Sequence, residues 1–345
     1  MTLSHSINSI RQKIVEDAKT PKGYVALSVL AIALLAPAIF GGYLFEIVLQ
    51  MVVFVLVVAS WNLIAGYFGV FSFAHAALFG VGGYIAAILA GTYGIHPVAT
   101  IVIGGGGAAI ASLIIAPMIL RLGGSYVAMA TLAYAEILYL LVYVLDDITG
   151  GAMGYIEHPA LFDGNMIPLY YFALAIVLLN LAVLYVLLRS RFGLIGRAIR
   201  EEEDAAKMLG NNTDRYKVYA FVLSSAMAGT AGGIHAFNIR IFSPSMMAIE
   251  MMIEFMAMAV IGGIGTSLGP VVGVIAVLGF SEFFRSFGEI RLLLWGLLLM
   301  FTIMFFPGGL AGSSVQQDLL RDQAGKLRSA FGSQSAQDEH SSKEQ

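Results

Sequence analysis

The chain of 345 residues is 59% Ala, Val, Ile, Leu, Met, Phe, Trp, Tyr and Cys, only 12% charged, and has a mean hydropathy of +0.84. Soluble domains sit near about 45 to 50% apolar, glycine included, and about 25% charged, so this composition excludes an ordinary soluble fold and belongs in a bilayer. A formal charge of −3 gives no reason to expect nucleic acid, and zero cysteines exclude disulfides, Cys-ligated zinc, iron–sulfur clusters and thiol catalysis.

The first 22 residues are polar, setting Arg11, Lys13, Lys19 and Lys22 against Glu16 and Asp17. Apolar sequence starts near Tyr24, with no small-residue cleavage site before Ala38, which reads as a retained signal-anchor behind a cytoplasmic tail 1–22. A transmembrane region 23–312 follows, carrying one cytoplasmic loop at 189–217. The tail 313–345 is rich in Ser, Gln and charge, without hydrophobic periodicity, and is expected in the cytoplasm, mostly disordered or weakly helical.

A spanning helix needs roughly 20 mainly apolar residues. Gly, Pro and charged punctuation divides the chain into about ten pieces, near 24–40, 45–65, 70–90, 97–120, 125–145, 168–188, 217–237, 251–265, 270–286 and 291–306. The expectation is an all-α, polytopic membrane helix bundle of about 8 to 10 transmembrane helices. The eighth piece is short and ends in Gly262-Gly263-Ile264-Gly265, so a re-entrant or broken helix lining a cavity is the alternative there.

Glycines recur through the pieces: Gly80, Gly82 and Gly83, Gly104 to Gly107, Gly229, Gly232 and Gly233, then Gly262, Gly263, Gly265, Gly269 and Gly273. Helices associate in lipid largely through close backbone approach at small residues, so close packing is the first reading of each. The stretch Gly262 to Gly269, followed by Pro270, is the best candidate for a broken helix that turns carbonyls toward a path.

Ionisable groups inside the pieces are costly and mark either a path or a paired structural role. Glu136 falls about mid-span, as a carboxylate facing an aqueous cavity or partner helix, or as glue between helices; Glu254 and Glu282 lie nearer span ends. His75 and His235 are read first as satisfied interhelical hydrogen bonds and second as path residues. Together His75, Glu136, Glu254, Gly262, Gly263 and Gly265 are the candidates for a translocation path. The spans hold no His-x-x-x-His, Glu-x-x-His or acidic pair at ligand spacing, so no metal is expected. Without G-x-x-x-x-G-K-[ST], no cofactor is expected either, and any ATP would be bound by another chain.

Orientation follows Lys and Arg, which accumulate in cytoplasmic loops. Between Gly23 and Leu188 Arg121 stands alone, after which Arg189, Arg191, Arg197, Arg200, Lys207, Arg215 and Lys217 arrive together. That loop is placed in the cytoplasm, and the acidic loop with Asp146, Asp147, Glu157 and Asp163 on the opposite side. Ten spans from an inside N-terminus satisfy both and return the C-terminus to the cytoplasm, at the expense of leaving Arg240, Arg285 and Arg291 outside.

Within the basic loop, Ile195, Ala198 and Ile199, then Ala205, Met208 and Leu209, recur at helical spacing, and Gly210-Asn211 is a helix stop. One or two short amphipathic helices are predicted. A plain connector needs no apolar stripe, whereas a helix docking in a partner's groove does.

Asp204-Ala205-Ala206-Lys207-Met208-Leu209-Gly210 resembles the E-A-A-x-x-x-G element of ABC-importer permeases, with Asp in place of Glu. SFAHAALFGVGGY from Ser72, SYVAMATLAYAEI from Ser125, TGGAMG from Thr149, SRFGLIGRAIREEEDAAKMLG from Ser190, FVLSSAMAGTAGGIHA from Phe221, EFMAMAVIGGIGTSLGPVVG from Glu254 and FPGGLAG from Phe306 are similar to branched-chain amino-acid ABC transporter permeases of the LivM type. The similarity runs from about Trp61 to Gly312. It implies a transporter subunit, not an enzyme, in a bacterial or archaeal cytoplasmic (inner) membrane. It also implies a second homologous permease, two ATP-binding subunits and an extracytoplasmic solute-binding protein that delivers Leu, Ile or Val. Arg197, Asp204, Ala205, Ala206, Leu209 and Gly210 would be the coupling residues. Relatives of the type carry urea, short amides or other small carboxylates, and these remain alternatives. A different class, a stand-alone secondary transporter or channel using Glu136 and Glu254, leaves the apolar-striped basic loop without a purpose.

Overall fold

The computed structural model describes residues 21–122, 124–156, 159–239, 241–287 and 296–312, apart from 298, 299, 303 and 307. Residues 1–20 of the expected tail 1–22, the tail 313–345 and the first part of the tenth span lie outside the described residues, while Pro21 and Lys22 already belong to the first helix. The described helices are α1 (Pro21–Ile39), α2 (Tyr43–Trp61), α3 (His75–Gly91), α4 (Pro97–Arg121), α5 (Ser125–Val144), α6 (Met166–Arg189), α7 (Arg191–Glu201), α8 (Glu203–Met208), α9 (Thr213–Ile239), α10 (Ile249–Gly262) and α11 (Gly269–Phe283). Among the described residues five stretches are long and apolar enough to cross a membrane: Tyr43–Tyr67, Pro97–Arg121, Ser125–Val144, Met166–Arg189 and Thr213–Ile239.

A helix that is apolar on all sides is buried on all sides. VVFVLVVASW at the end of α2 is such a run, and every residue from Val53 to Trp61 is buried. α2 is therefore the centre of the bundle, and it continues into a π-helical turn over Asn62–Tyr67 that is itself buried. Beside it, α3, α4 and α9 meet through the glycines. A Cβ on Gly82 would strike the backbone of Gly229, one on Gly104 the carbonyl of Gly82, and one on Gly232 the carbonyl of Phe79. Close packing is thus the observed role of these glycines. Gly106 differs, with nothing within 4 Å of a Cβ. α4, α5 and α6 turn large apolar side chains outward, among them Ile110, Ile114, Met129, Ile137 and Leu179, as lipid-facing or partner-facing helices do.

The third expected span begins later than expected, because residues 70–74 are not helical and α3 starts at His75. The eighth and ninth pieces form a hairpin of two short helices. With 14 and 15 residues, each is roughly 21 to 23 Å long at about 1.5 Å per residue, short of a hydrocarbon core of about 30 Å. Their faces meet without side chains: a Cβ on Gly262 would enter Gly269, and one on Gly273 would enter the Met258 carbonyl. Gly263, with φ +115°, ends α10, and it packs on Gly309, which explains the glycines of the FPGGLAG stretch.

The bundle has two distinct ends. One gathers the π turn, the α4–α5 turn, α7 and α8, and the α10–α11 turn. The other carries the acidic loop, where Tyr155 and Phe242 pair as an isolated antiparallel bridge and the Tyr155 hydroxyl meets Thr92 Oγ1 at 2.9 Å. Thr149 donates to the Val142 carbonyl at 2.6 Å, and Gly154, φ +77°, lies against the Phe242 carbonyl and Ser243. The TGGAMG stretch is thereby accounted for by backbone geometry.

Candidate functional site

The basic loop is a folded unit. Ser190 caps α7 by accepting from the Phe192 N–H at 3.2 Å. Glu202, in extended conformation, breaks α7 from α8, and Gly210, φ +79°, ends α8 with its N–H donated to the Lys207 carbonyl at 2.9 Å. Gly at that position is the usual left-handed stop. Asn211 adds a side-chain donation to the Ala206 carbonyl at 3.2 Å.

Glu203 ties this unit to the membrane bundle. Its carboxylate accepts from Lys217, in the second turn of α9, and pairs with Lys207 at 3.1 Å, while Thr213 Oγ1 donates to it at 3.4 Å. Burial pushes the Glu203 carboxyl up, but hydrogen bonds and charge from Lys217 and Lys207 outweigh it and hold the group below the ordinary range. The same hydrogen bond raises Lys207.

The two halves of the apolar pattern separate. Ile199 is buried and Ile195 and Ala198 are half-buried, so the α7 stripe packs on this chain's own bundle. At the end of α8, Met208 is 88% exposed and Leu209, the residue that follows the helix, 80%, and Ala205 is also exposed. Ala206 departs from the docking set, since it is buried against its own chain. Asp204 is exposed, with Lys207 4.0 Å away. Arg197 folds back on α7 and the end of α6, donating to the Gly193 carbonyl at 3.3 Å and the Leu188 carbonyl at 3.4 Å.

Two residues at this end were not singled out from the sequence. Arg200 leaves α7 to donate from Nη1 to the carbonyl of Gly66. Asn62, in the π turn, accepts from the Gly265 N–H at 2.7 Å and donates to the Thr266 carbonyl at 2.9 Å. Asn62 carried a signal: an amide within an otherwise apolar run. Arg200 stood among seven loop cations, with nothing to set it apart. Arg200 lines two cavities of about 470 and 500 Å³, the first also walled by Phe73, Ile119 and Val127, the second by Ala65, Val260 and Ile264.

The path candidates do not converge on one point. His75 is buried, with Nε2 3.2 Å from Ser224 Oγ, and His235 is buried beside the rings of Phe54 and Phe79. Both lie between helices, and the Nδ1 of each is buried without a hydrogen-bond partner among the described residues. Glu282 accepts from the Tyr43 hydroxyl at 3.1 Å and pairs with Arg285 at 3.6 Å, a structural role at the acidic-loop end. Glu254 is half-buried on α10, and Glu136 is exposed near the middle of α5. Gly262, Gly263 and Gly265 belong to the α10–α11 turn, with Gly265 next to Asn62 and Arg200.

Residues 43–306 match the family described as branched-chain amino acid transport system / permease component. The chain belongs to that family. The permease is 29% identical over 330 residues to the high-affinity branched-chain amino acid transport system permease protein LivM of Escherichia coli, covering 88% of this chain and 77% of that protein. It is 27% identical to the probable branched-chain amino acid transport permease protein LivH of Methanocaldococcus jannaschii, over 70% and 82% of the two chains. To BraD of Pseudomonas aeruginosa, another high-affinity branched-chain permease, it is 25% identical over 75% and 91%. No solved structure matches the chain. The permease is an integral membrane protein and a transport component, and every candidate residue above falls inside the matched stretch.

Proposed function

We propose that this permease is one membrane-spanning half of an ATP-driven importer for branched-chain amino acids in a bacterial or archaeal inner membrane. A second homologous permease completes the path, two ATP-binding subunits drive it, and an extracytoplasmic binding protein delivers Leu, Ile or Val. The basic loop and both termini face the cytoplasm, in keeping with the cluster of Lys and Arg. The observation that carries this reading is the α8 tip, where Met208 and Leu209 stand almost wholly exposed on a helix braced from behind by Glu203 and Lys217. An apolar pair held rigidly at a polar surface fits a groove on a partner. ATP-driven closure of the partners would pull on residues 197–210, and hydrolysis would reset them.

Pull-down of the chain, tagged at its C-terminus, in mild detergent with mass spectrometry is the direct test. Recovery of an ATP-binding subunit and a second permease, with ATP-dependent leucine uptake by the reconstituted complex, is the expected result. Recovery of this chain alone, in detergents shown to keep such complexes intact, would favour a self-sufficient transporter. Uptake of urea or short amides in place of leucine would keep the machine and change the solute.

A further inference from the structure

We infer that Arg200 and Asn62 form a mechanical latch that makes the cytoplasmic loop, the end of α2 and the α10–α11 turn move as one body; the inference rests on the importer reading. Three elements far apart in sequence meet here through backbone groups that their own elements leave over. The last carbonyls of a helix have no partner within it, and the π turn ends at Tyr67, so the Gly66 carbonyl is available and takes the Arg200 guanidinium. The end of a helix also carries partial negative charge, which favours a cation there. Across the junction Asn62 uses both ends of its amide, on the Gly265 N–H and the Thr266 carbonyl, to clamp the turn between α10 and α11.

The junction admits no side chain between its parts. A Cβ on Gly66 would lie 2.6 Å from the Gly265 nitrogen, and one on Gly265 would lie 2.9 Å from the Gly66 carbonyl oxygen and 2.5 Å from Arg200 Nη1. Gly69, φ +71°, brings its backbone within a Cβ's contact of Arg200 Cγ, at 3.2 Å. Backbone therefore meets backbone, and Arg200 fills the remaining gap. Because α10 and α11 are too short to span and close on each other through glycine, their turn is a part of the bundle that a pull on α7 can shift as a unit. Arg200 and Asn62 act on transport through position, with no contact to the solute required.

The test uses the reconstituted complex of permeases, ATP-binding subunits and binding protein. Arg200→Met removes the guanidinium from an exposed residue and keeps an unbranched side chain, and membrane abundance is measured beside uptake; Arg200→Lys keeps the charge. Arg200→Met is expected to lower leucine uptake about tenfold, the weight of a charge-assisted hydrogen bond, while ATP hydrolysis stays near wild type, and Arg200→Lys is expected to recover part of the uptake. Asn62→Leu should uncouple in the same way. The chain has no cysteine, so spin labels at Glu201→Cys and Ser267→Cys, both exposed positions, report the distance between loop and turn. That distance should be unchanged between nucleotide-free and ATP-trapped complexes in the wild type and should change with Arg200→Met. A wild-type distance that changes on trapping, or Arg200→Met with normal uptake per ATP, overturns the latch. A wild-type complex without ATP-dependent uptake removes the importer reading, and the latch with it.

Discussion

Lys217 and Glu203 form an ion pair between α9, a helix of the membrane core, and the start of α8, the exposed helix of the basic loop. The lysine side chain is only 10% exposed, and the carboxylate is shared with Lys207 and the Thr213 hydroxyl. The loop is therefore held to the bundle at its own turning point, which gives its tip a fixed position.

This pair makes the loop sensitive to acid. A carboxyl whose folded-state pKa lies below its unfolded value adds stability above the unfolded value and loses it as pH falls through the folded one. Glu203 lies below its ordinary 4.5, so its contribution is complete at neutral pH and disappears only in strong acid. Partial exposure limits it to about 1 kcal/mol or less. A fluorophore on Met208→Cys should show constant anisotropy from neutral pH down to about pH 5 and a fall below about pH 4, past the ordinary carboxylate range. Glu203→Gln should show low anisotropy already at pH 7. A fall centred near pH 6 in the wild type would assign the transition to another group.

The glycines separate into positions that are tightly packed and positions that are not. Gly232→Ala drives a methyl into the Phe79 carbonyl and should cost about 1 to 3 kcal/mol or more by overpacking. Gly106→Ala meets nothing in this chain and should be neutral or stabilising by up to about 1 kcal/mol, through helix propensity. Thermal unfolding of the purified permease in detergent checks both. Equal midpoints for the two variants would mean that the α3–α9 contact relaxes freely.

Much of this arrangement is legible in the sequence, because the bilayer leaves few choices. Apolar length marks helices, punctuation marks their ends, and the cations between Arg189 and Lys217 mark one side. The helical spacing of Ala205, Met208 and Leu209 and the Gly210 stop appear as the spacing predicts. What periodicity could not show is which face meets which neighbour. Ile199 and Leu209 belong to one pattern in sequence, yet one is buried in the permease and the other is exposed just past α8. Arg200 was illegible for the same reason: its partner is a carbonyl of Gly66, and backbone groups leave no trace in residue type. His75 and His235 each admit a packing and a path reading in the sequence; the structure sets His75 beside Ser224 and His235 beside the Phe54 and Phe79 rings, contacts between helices that residue type does not reveal.

Exposure at Met208 and Leu209 predicts a clean loss of partner binding. Neither side chain supports the fold, so Met208→Glu and Leu209→Glu should leave membrane abundance unchanged and reduce recovery of the ATP-binding subunits. Loss of a buried apolar anchor together with burial of a charge is expected to exceed about 2 kcal/mol, more than tenfold in affinity. Ala206→Arg, by contrast, disturbs the loop itself, because Ala206 is buried, and should lower abundance as well. Full ATP-driven uptake in both glutamate variants would remove α8 from the coupling role.

Glu136 provides the sharpest separation of path from packing. It stands near the middle of the 20-residue helix α5, exposed on the surface of the single chain. A carboxylate facing lipid at that depth costs about 2.5 to 3.5 kcal/mol on insertion scales, so an exposed Glu136 is consistent with a face turned to water or to the second permease. Glu136→Gln keeps the shape and removes the charge. Transport should change several-fold in rate, while membrane abundance stays level. Unchanged uptake with reduced abundance would show that the carboxylate serves assembly, and α5 would then be a packing face of the permease pair rather than a wall of its path.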